Sequence, residues 1–551
     1  MLIMLAAVLT HTAAMWCMPS GHINSYGTSD GSAPKHEMRG AWVATVYGID
    51  WPSTTGATPA VADAQKKELC RILDILKEGG LNAVMFQVRS MSDAMYRSAY
   101  EPWSAYLTGC RGVAPAKGWD PLAFAVDEAH KRGMELHAWV NPFRLANGIA
   151  PEPQKAAKGS AFFDPKSKGW VLSFSKKTAK QGSTNRKGKK SKRTGSAPQP
   201  TAATVSILDP GNADARKHIV DVCRDIVTNY DVDGIIFDDY FYPDGLPLGA
   251  GYDYDRWQKE TAGMGDEAPS QADWRRANVA KTIAAVHEMI KSERPWIRFG
   301  ISPAGVAGGN GEASSRYGLP NPEAGKDWMY DRIFCDPLEW LAEGTVDYVS
   351  PQIYWATNHE TNPYEPITRW WGKVTLTFNR HCYPSQKVLA LPAGEAAWRE
   401  QCQQVEINRK NSTAAGGGSI FYSTAHISGK KAAGVAEHLH GTCYSTPALM
   451  PPMEWKKAVD PGRVKGLKRN GSVLSWYPQP DMRYIVYAIP EEVSVLDAIS
   501  ETGRNFMSEY IMGITYGHEQ AIDADKLKNF RFAVAPYDRY GNEWEAVILN
   551  K

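Results

Sequence analysis

Short apolar runs alternate along the chain, up to about residue 445, with longer stretches in which apolar positions recur at helical spacing. The runs are RGAWVATVYGIDWP (39–52), NAVMFQVRS (82–90), MELHAWVNPFR (134–144), GIIFDD (234–239), IRFGISPAGV (297–306), VDYVSPQIYW (346–355), KVLALPAGE (387–395) and GSIFYSTAHI (418–427). They read as strands buried on both faces, as parallel strands are. Helical patterning occupies roughly 61–78, the segment PLAFAVDEAHKRG, and roughly 213–230 and 271–293. Eight such strand–helix units predict an α/β fold, a (β/α)8 TIM barrel.

Beyond about residue 450 the pattern changes. PGRVKGLKRNGSVLSWYPQP, RYIVYAIP and NFRFAVAPYDRYGNEWEAV read as short strands between turns, and resemble a small all-β sandwich of the fibronectin type III kind over 452–551. The boundary falls at Pro451 and Pro452, and the stretch 491–520 shows no complete strand pattern. At the other end, MLIMLAAVLTHTAAM is too short to span a bilayer and reads, within residues 1–20, as a secretory leader that lacks the usual basic start. Export to the periplasm or cell envelope is expected. Cys17 offers a site for a lipid anchor, although Met15 and Trp16 match the small-residue box poorly. No later segment is apolar enough to be a transmembrane helix.

A net charge of +2 over 551 residues gives no general affinity for polyanions, and nucleic acid is not an expected partner. The 19 tryptophans favour a surface that stacks on flat apolar faces, such as those of sugars. One segment departs from neutrality: 176–194, KKTAKQGSTNRKGKKSKRT, within an insertion of about 176–200, reads as a solvated basic loop, with attraction to an anionic polymer as the functional alternative. The eight cysteines show no metal-binding spacing, and no motif calls for a cofactor or metal. Cys70 and Cys223 read as buried thiols, and Cys382 with Cys402 as a pair that could close in an oxidising compartment.

The polar residues of the barrel strands collect at their carboxyl ends, where a TIM barrel builds its active site. Gln87 and Arg89 end the second strand, His137, Asn141 and Arg144 mark the third, and Asp238 and Asp239 end the fourth. Ser302, then Gln352, Tyr354 and Trp355, then Glu395 follow on the fifth to seventh. Adjacent carboxylates at the end of a buried strand repel one another and resist desolvation, so chemistry explains them better than packing does.

These segments carry a resemblance. RGAWVATV, FQVRSMSDAMY, HAWVNPFR, ILDPG, DGIIFDDYFYP, GISPAGV and DYVSPQIYW, in that order over residues 37–445, are similar to the glycosyl-hydrolase-like 10 family of exported bacterial (β/α)8 proteins. The resemblance implies glycoside hydrolysis, with cell-wall glycan as a substrate suggested for some members. The fourth strand also resembles the chitinase signature D-G-x-D-x-D-x-E at Asp233 and Asp238, but Ile236 and Tyr240 replace its middle Asp and terminal Glu, so the substrate-assisted chitinase route does not carry over. Two carboxyls are then required. Strand alternation favours Asp238 for the barrel mouth, with Glu395 as first choice of partner and Asp239 and Asp93 behind it. Arg89, His137, Asn141, Arg144 and Gln352 are expected to bind sugar hydroxyls. Tyr47, Trp51, Tyr240, Tyr354 and Trp355 are expected to stack on sugar rings. A non-catalytic glycan-binding scaffold is the alternative reading.

Overall fold

The computed structural model describes residues 34–176, 203–238, 241–306, 311–322, 324, 328–388, 394–412, 416–429, 434–500, 505–526 and 528–550. The leader, Cys17 and the core of the basic insertion lie outside them. Eight parallel strands carry the barrel: β1 (Glu37–Val43), β2 (Ala83–Arg89), β3 (Glu135–Val140), β4 (Gly234–Asp238), β5 (Arg298–Ser302), β6 (Tyr348–Val349, resumed at Gln352–Ile353), β7 (His381–Cys382, resumed at Ser385–Lys387) and β8 (Gly417–Tyr422). A helix follows each: α1 (Pro59–Glu78), α2 (Pro121–Lys131), α3 (Ala213–Asn229), α4 (Gln271–Glu293), α5 (Pro337–Ala342), α6 (Tyr364–Thr377), α7 (Glu395–Asn411) and α8 (Val435–Gly441). Local sequence starts several of them. Thr58, Asp120 and Asp336 each cap a helix whose first residue is proline, which needs no N–H partner there.

Strands β1 to β5 pair in chain order, and β8 pairs with both β7 and β1. Pro351 and Pro384 break β6 and β7, since proline cannot donate to a ladder. Hydrogen bonds from Ser350 N to Ile301 O, Tyr383 N to Val349 O and Ser385 N to Pro351 O carry the sheet across both breaks and close it. The expected TIM barrel is therefore present. One strand is placed differently: β7 ends at Lys387 and Glu395 opens α7, with residues 389–393 of the apolar run outside the described set. The strand itself, HCYPSQK, hides its burial behind polar side chains, of which Ser385 accepts from the indole of Trp42 at 2.8 Å.

Between β3 and α3, Val171–Lys176 and Ala203–Leu208 pair antiparallel and are joined by Arg144–Ala146; residues 177–202 lie outside the described set. Inside the barrel, glycines make room for rings. A β-carbon at Gly234 would lie 2.5 Å from His137 Nδ1, and one at Gly300 2.1 Å from Tyr348 Cζ.

The C-terminal segment folds into two antiparallel sheets. Lys468–Asn470, Val473–Ser475 and Glu519–Ala521 form one; Ile511–Thr515, Met482–Pro490, Phe530–Asp538 and Val547–Ile548 form the other. Two of these strands fall in the stretch that sequence pattern left unassigned. Trp476 and Tyr484 pack edge to face with centroids 5.1 Å apart.

This β module seats on the amino-terminal end of the barrel through buried charges. Arg483 donates to Glu135 at 2.6 Å, Arg539 to Asp233 at 2.9 Å, and Lys456 to Asp347 at 2.8 Å. Glu135 opens β3, while Asp233 and Asp347 immediately precede β4 and β6, so three strand entries each present a carboxylate to the module. Burial works to raise Glu135, but Arg298 and Arg483 outweigh it and hold the carboxyl at about 2. Asp233, the counterpart of the first chitinase aspartate, also bonds His130 at 2.8 Å and Tyr516 at 3.1 Å on this floor.

Cysteine placement corrects one expectation. Cys402 lies 3.2 Å, sulfur to sulfur, from Cys443 rather than beside Cys382, which is buried at the start of β7. Cys223 is buried as expected, and Cys70 is only half-buried. No described helix is long and apolar enough to cross a membrane.

Candidate active site

Asp238 is the last residue of β4 and follows Ile236 onto the interior face, where it is buried. Both of its oxygens accept from side-chain amides: Asn141 Nδ2 donates to Oδ2 at 3.0 Å and Gln352 Nε2 to Oδ1 at 3.0 Å. These two donors hold the carboxylate in one orientation. They are themselves fixed. Gln87 Nε2 donates to Asn141 Oδ1 at 2.8 Å, and Gln87 Oε1 accepts from the backbone N–H groups of Thr45 and Val46 at 2.9 Å each. Gln352 also reaches Ser302 O at 3.1 Å. Residues from the ends of β1 to β6 thus converge on one carboxylate.

Asn141→Ala is expected to lower kcat roughly 10²-fold with KM little changed, because Asp238 loses the donor that orients it. Steady-state kinetics on soluble glycan fragments, with circular dichroism to check folding, tests this; unchanged kcat would remove Asn141 from the site.

Arg89, the last residue of β2, is fully buried. Its Nε and Nη2 grip Glu101 at 2.7 and 2.6 Å, Nη2 also reaches Ser92 Oγ at 2.9 Å, and Nη1 donates to the carbonyls of Asn141 and Pro142. All five donors are spent on protein, so Arg89 holds the Asn141 backbone rather than facing the mouth. Glu101, also bonded by His218 at 2.9 Å, is resisted by burial but held at about 2 by Arg89 and His218.

Because that value lies below the ordinary 4.5, the stability it confers, on the order of 3 kcal/mol, is complete above pH 4.5 and is lost as pH falls towards 2. Thermal melts of wild type between pH 7 and 2 should show this loss, and Glu101→Gln, already destabilised at pH 7, should lose less over the same interval. Equal pH dependence in the two proteins would contradict it.

The remaining candidates fall at different levels. His137 is fully buried, four residues before Asn141 and below Trp139 on β3, with Nδ1 2.7 Å from the Tyr348 hydroxyl and Nε2 3.2 Å from Glu135. Its ring is committed to the lower interior. Arg144, half-exposed, brings positive charge near Tyr106 and Tyr422. Tyr354 stacks on Tyr422 with centroids 5.3 Å apart, and Trp355 packs half-buried against the outer core. Tyr47, 61% exposed, accepts from Asn147 at 2.7 Å and stands edge-on to Tyr106, whereas Trp51 is fully buried with its indole N–H on Gln65 O at 3.0 Å. Asp93 caps its own loop, accepting from Met91 N at 2.8 Å. Glu395 heads α7 with its side chain 71% exposed and paired with Arg399. Asp239 and Tyr240 lie outside the described residues.

Two mouth residues were not singled out from sequence. Asp50, raised by burial, accepts from Ala44 N, Ser423 Oγ and Ala425 N at 2.7 Å each, and so ties the loop after β1 to the loop after β8. Tyr422 ends β8; burial, then Asp50 and Asp238, push its hydroxyl above the usual range. Its position at the carboxyl end of a barrel strand was the available signal.

A parallel barrel with a carboxylate held among amides at its carboxyl-end mouth has its polar site where TIM-barrel enzymes build theirs. Residues 37–399 match the glycosyl hydrolase-like 10 family, and the chain belongs to it. It is 32% identical over 532 residues to "Glycosyl hydrolase YngK" of Bacillus subtilis (strain 168), covering 93% of this chain and 92% of that one. It is also 32% identical over 383 residues to "Glycosyl hydrolase DigH" of Escherichia coli (strain K12), covering 68% and 77%. Among solved structures, the PgaB (BpsB) glycoside hydrolase domain from Bordetella bronchiseptica aligns with a TM-score of 0.41 and 14% identity, over 74% of this chain and 99% of that one. The chain is thus a glycoside hydrolase.

Proposed function

We propose that the protein cleaves glycosidic bonds in the glycan strands of bacterial peptidoglycan by a two-carboxylate mechanism centred on Asp238. The observation that carries this reading is the pair of amide donors, Asn141 and Gln352, on the two oxygens of one buried carboxylate. Held in one orientation at the barrel mouth, Asp238 is assigned the role of base or nucleophile, while the second carboxyl must be protonated to assist the leaving oxygen. Glu395 and Asp239 follow the β7 and β4 strand ends and are the two candidates for that acid. The pH–rate profile separates them, because the acidic role disappears in Glu395→Gln or in Asp239→Asn, whichever residue holds the proton.

Aromatic rings at the mouth, Tyr47, Tyr354 and Tyr422, support sugar stacking, and Tyr240 and Trp355 extend that proposal to the neighbouring loops. The apolar leader supports export to the periplasm or envelope, with Cys17 as a possible point of lipid attachment. The basic connection at 176–194 would be drawn to the carboxylates of muramic acid, so binding should weaken as salt rises. The three-plus-four strand arrangement of the C-terminal sheets supports a fibronectin type III kind of sandwich over 452–551, following a barrel of 37–445.

Mass spectrometry of the products released from purified peptidoglycan, and from the same glycan stripped of stem peptides, tests the substrate. Muramic-acid-containing fragments from either material support the reading, and the more productive one defines the substrate. No fragments from either, with hydrolysis of another polysaccharide, would overturn the peptidoglycan assignment.

A further inference from the structure

Cys402 lies on α7 and Cys443 just beyond the end of α8, with their sulfurs 3.2 Å apart. That is contact distance between two thiols brought together by separate helices. Their surroundings differ. Cys402 is half-exposed and its sulfur lies 3.1 Å from the Thr442 hydroxyl, while Cys443 is buried, with its carbonyl held by Arg409, also on α7, at 2.6 Å. The 41-residue separation between them encloses all of β8, which ends at Tyr422, and the following Ser423 that anchors Asp50.

We propose that Cys402 and Cys443 form a redox modification site, closed by thiol–disulfide exchange into a bond that staples α7 to the end of α8 and locks the β8 segment of the barrel. The exposed sulfur reacts first: the Cys402 thiolate attacks one sulfur of a small disulfide donor, the donor bond breaks, and one donor thiolate leaves. Cys443 then gives up its proton and attacks the Cys402 sulfur of the mixed disulfide, and the second donor thiolate departs. Two electrons pass to the donor, which leaves as two thiols once protonated, and both cysteines are oxidised. The Cys443 contact and the nearby Thr442 and His438 hold the Cys402 thiol down to about 6, which suits it to the attacking role. Cys382 takes no part, being buried elsewhere in β7.

The test uses the full chain. Reduced protein is incubated with oxidised glutathione, alkylated, and digested without reduction. The expected result is loss of alkylation at Cys402 and Cys443 together, with a peptide cross-linked between them, while exposed Cys110 carries at most a mixed disulfide with the donor. Reductant should lower the thermal midpoint of the oxidised wild type and leave that of Cys402→Ser unmoved. Full alkylation of both thiols after oxidant, or a cross-link joining either to another cysteine, overturns the proposal. The wild-type peptide map decides this even where the serine variant fails to fold.

Discussion

Asp238→Asn is expected to reduce kcat on glycan roughly 10²- to 10⁴-fold, the span associated with loss of a positioned acid–base group, while the protein keeps its fold. The replacement is nearly isosteric, but it sets an amide donor where a carboxylate oxygen now accepts from Asn141 or Gln352 at 3.0 Å. One donor faces another, so the local network must rotate an amide or lose a bond, at a cost of about 1–3 kcal/mol. A modest fall in thermal midpoint should therefore accompany the loss of turnover. Calorimetric binding of a glycan fragment separates the two effects: retained binding with lost product release is the expected pair. Wild-type rates in the variant would remove the chemistry from β4 and with it the present assignment.

Arg483→Met should produce the largest loss of stability without touching that chemistry. Arg483, 2% exposed, is bound to Glu135, 3% exposed, at 2.6 Å, and also donates to Asp538 O at 2.6 Å. Removing one partner of a buried ion pair leaves the other charge uncompensated, at a cost of about 3–5 kcal/mol. Glu135 retains Arg298 at 3.4 Å, a longer contact, and should regain part of this by taking up a proton more readily. The double variant Glu135→Gln/Arg483→Met should accordingly be less destabilised than the sum of the two single variants. Thermal and urea melts measure all four proteins of the cycle. Additive losses would show that the contact between the β module and the barrel floor does not depend on this pair. Since the floor lies at the opposite strand ends from Asp238, kcat at a temperature where both proteins are folded should not change.

The two predictions mark opposite ends of the barrel, which were unequally legible in the chain. At the mouth, polar residues end apolar runs, and that contrast singled out Asp238, Asn141 and Gln352, which the fold brings into hydrogen-bond contact. At the floor, Glu135 and Arg483 are 348 positions apart, and nothing in either neighbourhood signals the other. The same limit explains Arg89 and His137. Each sits on a strand among apolar neighbours, and whether such a side chain faces substrate or is consumed by Glu101, Glu135 or Tyr348 depends on partners from distant segments. Glu395 shows a local form of the difficulty, because β7 is polar and broken by Pro384 and the more apolar run after it resembled the strand. Hydrophobic periodicity and caps act over a few residues, so the succession of strands and helices, the barrel and the change to an all-β segment were determined by sequence alone. Pairing of charges across the barrel floor, the contact of Cys402 with Cys443 and the stacking of Tyr354 on Tyr422 arise only when sheet closure brings remote segments together. Tertiary structure alone decided them, because the energy of each such contact resides in a distance between groups that chain order leaves undefined.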